Sequence, residues 1–273
     1  MKKAVLLIFL LLTASAIRAQ VIVAPTILFM SSTSPFGTFM VMNKSLVPQE
    51  IGISFRFGFP ESDSLGNTRM QYDDTLMAKE HSCQPWIRGF PQQFILNPDQ
   101  EQIVRLLVVP PPGIPDGEYW TRIVTSSTPQ AKTIDTVKTG ITASITFVLQ
   151  QVTTVVYKKG SCNTSVTMPE VTASPDSASM NLIAQVDRGG NSPFYGMMSA
   201  VVKDQADTAV WKDEQFIAVY KNNMFVKFSL PLRNLHSGTY TADLTMSSQR
   251  NDIPPEDLLK VPSVEKSIRF SVK

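Results

Sequence analysis

The chain has 273 residues with 25 Lys and Arg against 23 Asp and Glu, and three of the bases, Lys2, Lys3 and Arg18, fall in the first 19 residues. Without that segment, 254 residues carry 22 basic and 23 acidic side chains, which removes the electrostatic case for nucleic-acid binding, a mode that needs surplus cations facing the phosphates. Two His and two Cys with no metal-ligand spacing argue against zinc, and 43% hydrophobic with 18% charged residues is too apolar for a disordered chain.

In chain order, Lys2 and Lys3 precede an apolar run from Ala4 to Leu12, and Ala14, Ser15, Ala16 and Ala19 form a small-residue exit. This is the pattern of an export signal spanning 1–19, with cleavage expected between Ala19 and Gln20. The run is about half of the ~20 residues needed to cross a bilayer, and no later segment approaches that length, so no membrane insertion is expected. Strands are expected at Val21 to Phe29, Thr38 to Met42, Ile51 to Phe57, Ile103 to Val109, Tyr119 to Thr125 and Ile141 to Tyr157. Glu61 to Asp74, with Gly66-Asn67 at its centre, reads as a mobile hairpin or insertion. Further strands are expected at Met180 to Val186, Met197 to Val202, Phe216 to Tyr220, Phe225 to Leu230, Tyr240 to Met246 and Val264 to Val272. Strong helix signals are scarce.

One arrangement occurs twice. Arg105 in an apolar strand precedes Gly117-Glu118-Tyr119 by a turn, and Lys227 precedes Gly238-Thr239-Tyr240 in the same way, with offsets to the Tyr of 14 and 13 positions. Each Gly eases a tight corner, and each Tyr is expected to bond nearby backbone in a tyrosine corner, as in immunoglobulin-like sandwiches. The fold class is therefore all-β, with two immunoglobulin-like β-sandwich domains in tandem, 20–158 and 159–273. The break falls where Lys158-Lys159-Gly160-Ser161 interrupts the apolar alternation. Cys83 and Cys162 are an even pair, so a disulfide is chemically permitted in an exported protein.

Val23-Ala24-Pro25-Thr26, Met42-Asn43, Pro91 with Phe94-Ile95-Leu96-Asn97-Pro98, Gln102-Ile103-Val104-Arg105-Leu106 and Asp116-Gly117-Glu118-Tyr119-Trp120 follow one another in an order and spacing that resembles the PapD-type periplasmic pilus chaperones. The resemblance spans about 21–157, and the second half is similar only as a following immunoglobulin-like domain. It implies two domains set in an L, a periplasmic location, and a last first-domain strand that completes the unfinished sandwich of a pilus or surface-assembly subunit. An outer-membrane assembly platform is a further implied partner.

Along the long run, Ile145, Phe147 and Leu149 share one strand face, and Val152, Thr154 and Val156 would continue it beyond a bulge at Gln150-Gln151. These six form the expected subunit-binding strand; the competing reading is that they fill the protein's own core. The family also implies two cations that hold the subunit's terminal carboxylate. Their positions fall at Ile27 and near Thr153 or Thr154, all neutral here. Arg105 and Glu118 match a family pair that forms an internal salt bridge near the domain junction.

No enzyme motif is present: there is no Gly-x-Ser-x-Gly elbow, phosphate loop or His-Glu-x-x-His, and His81-Ser82-Cys83 lacks an orienting partner. No enzymatic activity and no cofactor are expected. The functional expectation is a periplasmic chaperone that caps subunits by strand donation. The alternative is an immunoglobulin-like structural or adhesive component of a surface or secretion assembly.

Overall fold

Short β-branched runs punctuated by Pro, Gly, Asn and Asp fold as antiparallel strands whose alternate residues point into two cores. The structure is a computed structural model that describes residues 21–130 and 147–272. The expected export signal and Ile145 lie outside the described residues.

The first half runs β1 (Val21–Ala24), β2 (Ile27–Ser31), β3 (Phe36–Asn43), β4 (Gln49–Arg56), β5 (Phe59–Ser62) and β6 (Thr68–Gln71). The helix α1 (Thr75–His81) follows, then β7 (Ile87–Phe90), β8 (Gln93–Leu96), β9 (Glu101–Val108), β10 (Gly117–Pro129) and β11 (Leu149–Lys159). One sheet has the order β1-β3-β9-β7 and the other β2-β11-β10-β4-β8. Between them lie Val41, Val104 and Leu106 from the first sheet against Ile53, Ile123 and Val155 from the second, all buried. Each such side chain contributes roughly 1.5–3 kcal/mol by leaving water. The single run expected from Val21 to Phe29 is two strands: Pro25, which lacks an amide donor, separates β1 in one sheet from β2 in the other.

The second half runs β12 (Thr164–Thr167), β13 (Val171–Pro175), β14 (Ser179–Gly190), β15 (Phe194–Lys203), β16 (Ala209–Val219), β17 (Met224–Pro231), β18 (Gly238–Ser247) and β19 (Val264–Val272). β12, β13 and β17 pair with β14, and the facing sheet has the order β16-β15-β18-β19. Leu182, Ala184, Val226 and Phe228 pack there against Met198, Ala200, Ile217 and Leu244. The molecule is thus two immunoglobulin-like sandwiches. Both tyrosine corners form: the Tyr119 hydroxyl donates to Pro115 O at 2.9 Å and that of Tyr240 to His236 O at 2.9 Å.

The stretch around Gly66-Asn67 is a hairpin, β5 with β6. It is tied to the second sandwich. The Phe225 amide donates to Ser62 Oγ at 2.6 Å, and Lys227 Nζ donates to Asn67 Oδ1 at 2.7 Å. At Gly66, with φ of 74°, a Cβ would sit 2.6 Å from Lys227 Cβ, so only glycine lets the hairpin tip lie this close to the second sandwich. Asp74 caps α1 by accepting from the Met77 amide and also pairs with Lys221 of the second sandwich.

Candidate functional site

The sheet face that meets the second sandwich is set by period-two alternation. Along β10, Tyr119 and Ile123 enter the first core, while Glu118, Trp120 and Arg122 point the other way. Strand register places Glu118 opposite Lys158, Trp120 opposite Val156 and Arg122 opposite Thr154 on β11. The parallel pairing of β2 adds Ile27 beside Thr154 and Phe29 beside Val156.

This face is sealed by aromatic groups. Phe57, Phe59, Trp120, Val156, Tyr195, Tyr220, Ile253 and Leu258 form one buried cluster across the two sandwiches. Trp120 lies 4.7 Å from the Tyr220 ring and stacks on His81 at 5.0 Å. The hydroxyls of Tyr195 and Tyr220 hydrogen-bond to each other at 3.2 Å. Burial, followed by the neighbouring Tyr220 and Glu118, raises the Tyr195 pKa well above its ordinary value.

Two charged groups are enclosed at opposite ends of the row. Arg122, 6% exposed, donates from Nε to Gly58 O at 2.9 Å and from Nη1 to Thr154 Oγ1, while Nη2 has no hydrogen-bond partner among the described residues. No carboxylate pairs with it among the described residues. Glu118, 1% exposed, has no hydrogen-bond partner for either carboxyl oxygen, and Lys158 Nζ stands 3.9 Å away. Lys158 instead donates to the Asp257 carbonyl of the second sandwich.

The sandwiches are further tied through Asn191. Its Oδ1 accepts from the Asn163 amide at 2.8 Å, and its Nδ2 donates to Asp116 O at 3.1 Å and Ser161 O at 2.9 Å. The Glu118 amide donates to Asn191 O at 3.3 Å.

The other feature is the free part of β11. β10 pairs with it throughout, from Ser127 opposite Leu149 to Gly117 opposite Lys159. β2 covers only Thr154 to Lys158, so among the described residues no strand pairs with the second edge from Leu149 to Thr153. Phe147 is 77% exposed, Leu149 40% and Val152 46%. A half-open edge carrying apolar side chains is a template for an added strand.

Several expected site residues are placed differently. Val152, Thr154 and Val156 do not continue the Leu149 face, because β11 runs without a bulge; they lie on the opposite face. Thr154 and Val156 are buried toward the second sandwich. Arg105 and Glu118 do not pair. The Pro-rich turn after β9 carries the chain to the other sheet, leaving Arg105 exposed opposite Thr38 and Phe90 while Glu118 faces Lys158. Cys83 and Cys162 are free thiols: Cys83 is enclosed in the first core, where burial raises its pKa, and Cys162 contacts Lys159 O. Sequence reading missed Arg122 and Lys158 as junction cations. The Glu-x-Trp-x-Arg alternation of Glu118, Trp120 and Arg122 carried that signal, since period two puts all three on one face.

No group of three or more metal-ligating side chains occurs among the described residues, and no helix among them is long and apolar enough to cross a membrane. No known family model and no curated protein matches the sequence. Solved structures are similar in fold at low sequence identity. A chain of the CsuC–CsuE chaperone–tip adhesion subunit pre-assembly complex of Acinetobacter baumannii is 11% identical with a TM-score of 0.46, covering 90% of this chain and 98% of that one. The SafA pilin–SafB chaperone complex of Salmonella enterica gives 9% identity and a TM-score of 0.46, covering 93% and 99%. The CupB2 chaperone of Pseudomonas aeruginosa gives 10% and 0.44, covering 92% and 100%.

Proposed function

We propose that this protein is an exported, periplasmic chaperone of a pilus or surface-assembly subunit, acting as two domains, 20–158 and 159–273, with no catalytic role. The observation that supports the reading is the edge of β11 from Leu149 to Thr153, which no strand covers among the described residues, with Leu149 exposed on it and Phe147 exposed just before it. An incomplete subunit sandwich lacks a strand, so main-chain hydrogen bonds to this edge and apolar side chains entering the groove would satisfy it. The first core supports the overhang from behind, because Val155 and Tyr157 continue the same strand face into it.

The resemblance implies a carboxylate anchor at positions that are neutral here, and Arg122 is the cation closest in register to them, opposite Thr154. In this reading its Nη2, buried and without a hydrogen-bond partner among the described residues, takes the client carboxylate when the junction around it loosens, a charge-assisted bond. The alternative, an immunoglobulin-like structural or adhesive component, is favoured by the aromatic filling of the junction, which leaves Arg122 little exposed. Affinity isolation of the tagged protein from periplasm, followed by mass spectrometry, separates the two. A stoichiometric, incompletely folded subunit supports the chaperone; a client-free monomer under conditions of surface assembly supports the alternative.

A further inference from the structure

The second enclosed charge, Glu118, stands opposite Lys158, away from the Leu149 to Thr153 edge. A carboxylate removed from water needs hydrogen bonds or a close cation, and without them burial favours the neutral acid. The surrounding groups are committed elsewhere. On the adjacent strand, Lys158 stands 3.9 Å away and donates to Asp257 O. From β14, Arg188 donates to the carbonyls of Gly190 at 3.0 Å and Ser192 at 2.7 Å. Asp257, on the loop between β18 and β19, adds repulsion. The thiol of Cys162 and the Tyr195 hydroxyl also feel the Glu118 charge. A cleft of about 550 Å³ beside it brings in Lys79, Glu80 and His81 of α1 together with Asp116 and Tyr119.

We propose that Glu118 is a proton-operated latch between the two sandwiches, neutral while they are docked and ionised when they part. Separation would admit water to the carboxylate, so the docked state binds the proton more tightly than the open one. Burial first, opposed by Lys158 and then Arg188, pushes its pKa from 4.5 up to about 7. The sign follows. Below about pH 4.5 both states hold the proton and docking is favoured fully; between there and about pH 7 the open state has lost a proton that the docked state keeps. Docking therefore weakens as pH rises through this window and stays weakened above it. His81 does not mimic this: burial and then the Arg188 charge lower its pKa, so its own contribution to docking would strengthen, not weaken, as pH rises.

The test is hydrogen exchange by mass spectrometry on the full chain from pH 5 to 8, corrected for intrinsic rates. Protection of the Glu118 amide, which bonds Asn191 O across the junction, is expected to fall by about tenfold per pH unit between 5 and 7 and then level off. Strands in the two cores should not follow. A flat wild-type profile overturns the proposal. Glu118→Gln and Glu118→Leu should each abolish the slope, so either variant folding with the slope intact also overturns it. His81→Asn should retain the slope, and its loss there would assign the effect to the imidazole and overturn the proposal even if both Glu118 variants fail to fold.

Discussion

Ile27 and Thr154 are direct register partners where β2 pairs in parallel with β11, and the guanidinium of Arg122 bonds Thr154 from the other side. The place where the family resemblance implies two cations thus holds an isoleucine, a threonine and one cation supplied by β10. Arg122→Met separates fold from function here. It removes a buried charge that has no carboxylate partner among the described residues, but also its place over the Tyr220 ring, and leaves Gly58 O and Thr154 Oγ1 without their donor; these opposing effects are each roughly 1–3 kcal/mol. The expected result is a urea-unfolding free energy within ~1 kcal/mol of wild type, with client recovery reduced at least tenfold. Undiminished recovery would remove Arg122 from client binding.

Phe147→Asp tests the open edge directly. At 77% exposure the ring contributes little to the protein's own core, so the expected change in stability is under ~0.5 kcal/mol. A charge entering an apolar groove is costly, so co-purified client should disappear. Loss of thermal stability instead, measured by circular dichroism, would assign Phe147 to the fold.

How far the sequence exposed this arrangement depends on the range of the interaction. Strand runs such as Ile51 to Phe57 were legible because period-two alternation is local, and the Gly-x-Tyr corners because a turn and its ring lie four residues apart. The helix α1 was not, since its signals are one Asp cap and seven residues, and none of those residues is buried. The short strands β7 and β8 hold four residues each and offer too little alternation to separate from loop. Arg105 and Glu118 looked like neighbours because consecutive strands commonly pair, whereas the Pro-rich turn between β9 and β10 changes sheet. The junction cluster was out of reach: it joins Phe59 to Tyr220 and Trp120 to His81, contacts that exist only after both sandwiches and the insertion are in place.

The Tyr195 and Tyr220 hydroxyls provide an internal measure of that junction. Each is buried, and they bond to one another at 3.2 Å. Removing one hydroxyl leaves the other without this partner, so Tyr195→Phe and Tyr220→Phe should each cost about 1–2 kcal/mol. The double variant replaces both by apolar groups of similar shape and should cost less than the two singles together, a coupling of at least ~0.5 kcal/mol in urea unfolding. Additive costs would mean that the hydroxyls find other partners.

Gly117 tests how closely the sandwiches must approach. Its φ is 146°, and a Cβ there would lie 2.7 Å from the carbonyl oxygen of Asn191 in the second sandwich. Gly113 offers a control a few residues away: its φ is 78°, with nothing within 4 Å of where a Cβ would stand. Gly113→Ala should therefore cost only the backbone preference, about 1 kcal/mol. Gly117→Ala adds to such a preference the displacement of Asn191 and strain on the Glu118 amide bond beside it, for a total of about 2–4 kcal/mol. Because the added methyl acts at the junction and not in a core, the Gly117 variant should also lose hydrogen-exchange protection around Asn191 before global unfolding. Equal costs for the two alanines would mean that the junction yields to a methyl group, and that the sandwiches are less firmly docked than the Asn191 hydrogen bonds imply.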